Sequence, residues 1–189
     1  LRQLVRDGIR RGELAPVKPG AAADLLFALL EAAVMEATVS GMLDLPQLHW
    51  SQTAYIDSLG QDSRYGQSTA LNALYTQALR AAAEIARYNG DAGAAGQWES
   101  KAETVRQAIN QHLYRLTEGR YLSTLYQGQP VDPTPHAQAW ALAYGIPDAG
   151  EQDRVAQALL DLLSPDPTNP NLNILGFNWV LEGLGRSGH

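Results

Sequence analysis

The residues of this 189-residue sequence best suited to chemistry are aromatic rings set among hydrogen-bonding side chains. Trp50, Tyr55, Tyr65, Trp140 and Trp179 fall in loops or at the starts of expected helices, beside Asp57, Asp62, Arg64, Gln67, His136, Gln138 and Asn178. A ring face stacks on the C–H face of a sugar, while carboxylates, amides and a guanidinium supply the directional partners its hydroxyls need. The candidate binding set drawn from these is Trp50, Asp57, Asp62, Tyr65, His136, Trp140 and Trp179. The bland alternative is helix packing by large side chains, which is what composition alone favours.

Other chemistries find less support. The absence of cysteine excludes disulfides, thiolate metal sites and cysteine nucleophiles. The four histidines, His49, His112, His136 and His189, are too scattered to share a metal, and neither a metal nor another cofactor is expected. Gly183-Leu184-Gly185-Arg186-Ser187-Gly188 matches G-x-G-x-x-G, but it follows a helical stripe instead of a strand, so a helix C-terminus is the better reading. No acid and base pair can be named; Asp57, Asp62 and Glu182 are the carboxylates that invite testing.

Composition bounds the remainder. With 45% hydrophobic and 18% charged residues the chain can build a core, burying roughly 70% of its unfolded surface. A net charge of -6 argues against nucleic acid as a partner. Residues 21–42 are apolar but carry Asp24, Glu31 and Glu36, which suits a core or interface and not a bilayer. The chain shown has no signal peptide, so a cytoplasmic location is the expectation.

The elements that must position these residues are helical. Leu71, Leu74, Tyr75, Ala78, Leu79, Ala82, Ile85 and Ala86 follow helical spacing from Gln67, and Asn89-Gly90 marks the stop. Asp91 can cap a second helix whose buried edge is Trp98, Ala102, Val105, Ile109 and Leu113. The short connection makes the two an antiparallel hairpin. A small β-hairpin or extended loop is expected near 119–131, then a helix over 136–144 ending at Gly145. A helix carrying Val155, Leu159, Leu162 and Leu163 follows, and a last one with Ile174, Phe177, Leu181 and Leu184 on one face. The fold class is all-α, built of antiparallel helical hairpins.

Several runs resemble a known family. They are Gly66-Gln67-Ser68-Thr69-Ala70-Leu71-Asn72-Ala73-Leu74-Tyr75, the Ala-Leu-Arg-Ala-Ala-Ala-Glu-Ile-Ala of 78–86, Ala108-Ile109-Asn110, Gly119-Arg120-Tyr121 and Ala141-Leu142-Ala143-Tyr144-Gly145-Ile146. In order and spacing they resemble the catalytic toroid of bacterial α-L-rhamnosidases, inverting glycoside hydrolases of the six-hairpin (α/α)6 class. The resemblance covers about residues 48–189. It implies a partial toroid whose inner-helix ends and loops line a pocket for a rhamnoside-like carbohydrate. Inversion needs an acid and a base roughly 6.5–9.5 Å apart. The family's acidic cluster has no counterpart in residues 1–48, and its downstream general-base Glu none before His189, so the hydrolytic machinery is expected to be incomplete. At about 30 residues per helix and connection, about four helices are expected between 66 and 189.

Residues 1–41 resemble something else. Leu4 to Leu14 and Ala21 to Glu31 look like the effector-domain helices of TetR-type regulators, without the DNA-reading part. Two domains are therefore expected: a helical hairpin over 1–44, and an incomplete six-hairpin domain over 45–189. The alternative function is an effector-binding and dimerisation module, with a homodimer through residues 20–42. A fragment, a fusion and a constructed sequence all fit such a junction.

Overall fold

A computed structural model describes residues 10–11, 66–163 and 174–189. The expected 1–44 hairpin, its dimer surface at 20–42 and the loop positions Trp50, Asp57, Asp62 and Tyr65 lie outside the described residues. Among the described residues from 66 onward five helices follow in order: α1 (Thr69–Tyr88), α2 (Ala92–Leu113), α3 (Pro135–Ala143), α4 (Gln152–Leu162) and α5 (Ile174–Ser187). The expectation was about four; the excess arises because α3 and α4 are only 9 and 11 residues long.

Helices α1 and α2 form the antiparallel hairpin that their periodicity predicts. The Ser68 hydroxyl accepts the Leu71 N–H to start α1, and the Asp91 carboxylate accepts the Ala94 N–H at 2.8 Å to start α2. The first half of α1 is buried on every side, including Asn72 and Thr76, so α1 is an inner helix. Along α2 the buried line is Ala95, Ala102, Val105, Ala108, Ile109 and Leu113. Trp98 departs from the expected edge and is 39% exposed. Near the hairpin tip it faces the small residues Ala82 and Ala86, beside a groove instead of beneath a covering layer.

Helix α3 is buried along its entire length and has no polar face. The Thr134 hydroxyl accepts the Ala137 N–H, and Pro135 occupies the first turn, where no N–H is needed. Its far end is closed by Arg80, whose guanidinium donates to Tyr144 O at 2.5 Å. Arg106 and Asn110 of α2 donate to Ile146 O at 3.1 and 3.0 Å, fixing the turn that follows. Hydrogen bonding to Glu103, and then to Asp148, holds Arg106 more firmly protonated than an ordinary arginine.

Helix α5 packs on α3 with only part of the expected stripe inward: Leu184 lies against the core, whereas Phe177 and Leu181 do not. Phe177 and Leu181 are 55% and 62% exposed, while Val180 and Gly183 are buried; the Ile174 side chain lies outside the described residues. The cause is Gly183, where an added Cβ would stand 2.9 Å from Ala139 O and 3.0 Å from Leu142 Cβ. Close backbone approach there rotates the large apolar side chains outward. The glycines at 183–188 lie in and just after a helix C-terminus, as their context suggested.

The strands are short and more numerous than one hairpin. β1 (Gln67–Ser68), β4 (Thr124–Tyr126) and β5 (Gln129–Val131) form an antiparallel sheet in the order β1-β4-β5, and β2 (Tyr114–Arg115) pairs with β3 (Arg120–Tyr121). The β4–β5 hairpin turns through Gln127-Gly128, inside the expected 119–131 region. Gly66 precedes β1 at φ +87, and a Cβ there would fall 2.2 Å from Leu125 O. Only glycine permits that approach.

Candidate functional site

The N-terminal ends of the buried helices α1 and α3 meet on one short segment, Tyr121–Ser123. From α1, the Thr69 N–H donates to Ser123 O at 3.0 Å and its hydroxyl donates to Leu122 O at 2.7 Å. From α3, Gln138 accepts the Tyr121 N–H at 2.8 Å and donates to Tyr121 O at 2.8 Å. Ser123 and Thr134 hydroxyls lie 3.3 Å apart, joining the segment to the α3 cap. The two helix starts therefore share one side of the domain, the arrangement that brings His136 to the same end as Gln67.

His136, Trp140 and Tyr144 recur at four-residue intervals along α3 and so occupy one face. Trp179 of α5 packs there: its ring centroid is 5.1 Å from Trp140 and 5.4 Å from Tyr144, and Trp140 meets Tyr144 edge-on at 6.1 Å. Such tilted and edge contacts match the ring quadrupoles and add stability beyond the area buried. His136 and Trp140 are 4% and 7% exposed, and Trp179 is half-buried. Burial holds the His136 imidazole below its usual pKa range, so it is neutral at neutral pH.

Of the candidate set, Trp140 and Trp179 meet at one helix contact, and His136 lies one turn earlier on α3. Gln138 points the other way, onto the Tyr121 backbone, and Asn178 is exposed. Glu182 is tied to Arg186 at 2.7 Å on the surface of α5. Among the described residues no group of three or more metal-ligating side chains gathers, and no helix is long and apolar enough to cross a membrane.

Sequence reasoning missed Tyr144, although its spacing from Trp140 was the available signal. Two residues that the sequence did single out, Trp140 and Gln67, carry open donors in the fold. The indole Nε1–H of Trp140 and the carboxamide Nε2 of Gln67 are buried without a hydrogen-bond partner among the described residues. A buried donor left open is costly and calls for a ligand, a water or a functional explanation.

Three comparisons with known proteins bear on this arrangement. The model of the bacterial alpha-L-rhamnosidase 6 hairpin glycosidase domain matches residues 35–189. No curated protein matches the chain. Among solved structures, the GH78 family rhamnosidase of Bacillus sp. GL1 superposes with a TM-score of 0.64 at 17% identity, over 89% of this chain. The match spans only 18% of that enzyme's chain. Family match, helical hairpins and superposition agree on one architecture: the chain belongs to the bacterial α-L-rhamnosidase six-hairpin glycosidase domain family.

Proposed function

We propose that this domain contacts a rhamnoside-like sugar at the α3–α5 aromatic cluster, and that the described residues supply binding without a complete acid and base pair. The observation that carries the reading is the unpartnered Trp140 Nε1–H inside the Trp140–Tyr144–Trp179 cluster. A sugar oxygen would satisfy that donor while a C–H face packs on the half-buried Trp179 ring. Neutral His136 lies one turn before Trp140 on the same helix. Glu182, the described carboxylate offered for catalysis, is paired with Arg186 on the surface.

Titration with methyl α-L-rhamnoside, followed by NMR, tests this. Resonances of Trp140 and Trp179 are expected to shift at millimolar sugar. Trp140→Phe, which keeps the ring and deletes the donor, is expected to weaken binding about fivefold, near 1 kcal/mol. The chain alone is expected to turn over an aryl α-L-rhamnoside negligibly. Sugar-induced shifts unchanged in both Trp140→Phe and Trp179→Ala would exclude the cluster, and turnover abolished by Asp62→Asn would exclude the view that the machinery is incomplete.

A further inference from the structure

We propose that the groove between α1 and α2 at the hairpin tip is a second sugar-contact site, taking one pyranose ring of a glycan. It shares its ligand class with the reading above and none of its residues. The groove holds about 370 Å³ and is lined by Ala82, Ile85, Ala86, Asn89, Asp91 and Trp98. It is shallow and open to solvent, so a ligand there would rest on one face and not be enclosed.

Its chemistry is divided as a pyranose is divided. Ala82, Ile85 and Ala86 of α1 give an aliphatic floor, and Trp98 of α2 gives an aromatic wall that is partly open to solvent. Polar capacity is confined to the tip. The Asn89 carboxamide makes no hydrogen bond among the described residues, and Asp91 engages only Oδ1 in capping α2, leaving its second oxygen available. Lys101 Nζ lies 6.0 Å from the Trp98 ring centroid and 5.6 Å from that of Tyr75, which orients the indole before any ligand arrives. A pyranose presents C–H faces to such a floor and wall and hydroxyls to Asn89 and Asp91. A purely apolar ligand would strip water from both polar groups and replace it with nothing.

The test is an indole-resonance titration of the whole chain, with the Trp98 signal identified by Trp98→Phe, using methyl α-L-rhamnoside and methyl β-D-glucopyranoside as probes. The expected result is a saturable shift of the Trp98 Nε1–H signal at millimolar sugar. It should persist in Trp179→Ala and weaken at least threefold in Asn89→Ala. Asn89 is exposed and its side chain makes no hydrogen bond among the described residues, and a circular-dichroism melt matching the parent's shows that the variant is folded. A Trp98 signal unmoved by either sugar at about 100 mM, or moved only by an apolar probe such as cyclohexanol, would overturn the proposal. Shifts confined to Trp140 and Trp179 would likewise overturn it while supporting the α3–α5 reading; shifts confined to Trp98 would do the reverse.

Discussion

Two glycines of α5 give a controlled measure of how closely it approaches α3. Both Gly183 and Gly185 lie inside the helix, so replacing either with alanine brings the same intrinsic gain, about 1 kcal/mol. Their surroundings differ. Nothing lies within 4 Å of a Cβ at Gly185, whereas a Cβ at Gly183 would meet Ala139 O at 2.9 Å, Leu142 Cβ at 3.0 Å and Ala143 N at 3.4 Å. Two of those atoms are backbone of a helix buried along its length, so relief requires α5 to shift as a unit. Overpacking of that kind costs roughly 1–3 kcal/mol. Gly185→Ala is therefore expected to stabilise the domain by about 0.5–1 kcal/mol, and Gly183→Ala to destabilise it by about 1 kcal/mol after the propensity gain is offset. Urea unfolding midpoints with a common slope measure both. If Gly183→Ala proves as stable as Gly185→Ala, the close α3–α5 contact, and with it the Trp140–Trp179 stacking, is wrongly drawn.

Two further outcomes follow from buried polar groups. Gln138→Leu strips both partners from the buried Tyr121 backbone and should cost about 2–4 kcal/mol in urea unfolding; a loss under about 1 kcal/mol would mean the paired bonds do not hold the segment. His136 is held neutral by burial, so the unfolded chain takes up its proton first as pH falls. Stability should therefore decline below about pH 6.5, the unfolded value, before the carboxylates titrate, and His136→Gln should flatten that slope; equal slopes in the two proteins would refute the assignment.

The α1–α2 hairpin was legible because both helices carry a one-sided apolar period and Asn89-Gly90 interrupts it. Helix α3 has no such period, being buried all round, and its limits were read from Pro135 and Gly145. On α5 Leu184 was placed correctly against the core, but Phe177 and Leu181 were not, because spacing ranks them by size whereas contact is decided by the absent side chain of Gly183. Trp98 was misplaced for a related reason: periodicity locates a helical face and is silent on whether the facing helix has enough bulk to cover it. β1 and β2 are two residues each, too short for alternation to register. Within the site, the shared face of Trp140 and Tyr144 was encoded by their four-residue spacing. The pairing with Trp179, 39 residues away, depends on tertiary packing that no local pattern carries.

The strap at Tyr121–Ser123 is gripped at its main chain. Thr69 and Gln138 reach its amides and carbonyls, so what they recognise is a path and not a set of side chains. A single inserted or deleted residue would misalign all of those bonds at once. In this domain the length of the strap is thus fixed by both helix starts together, whatever its side chains contribute to the core.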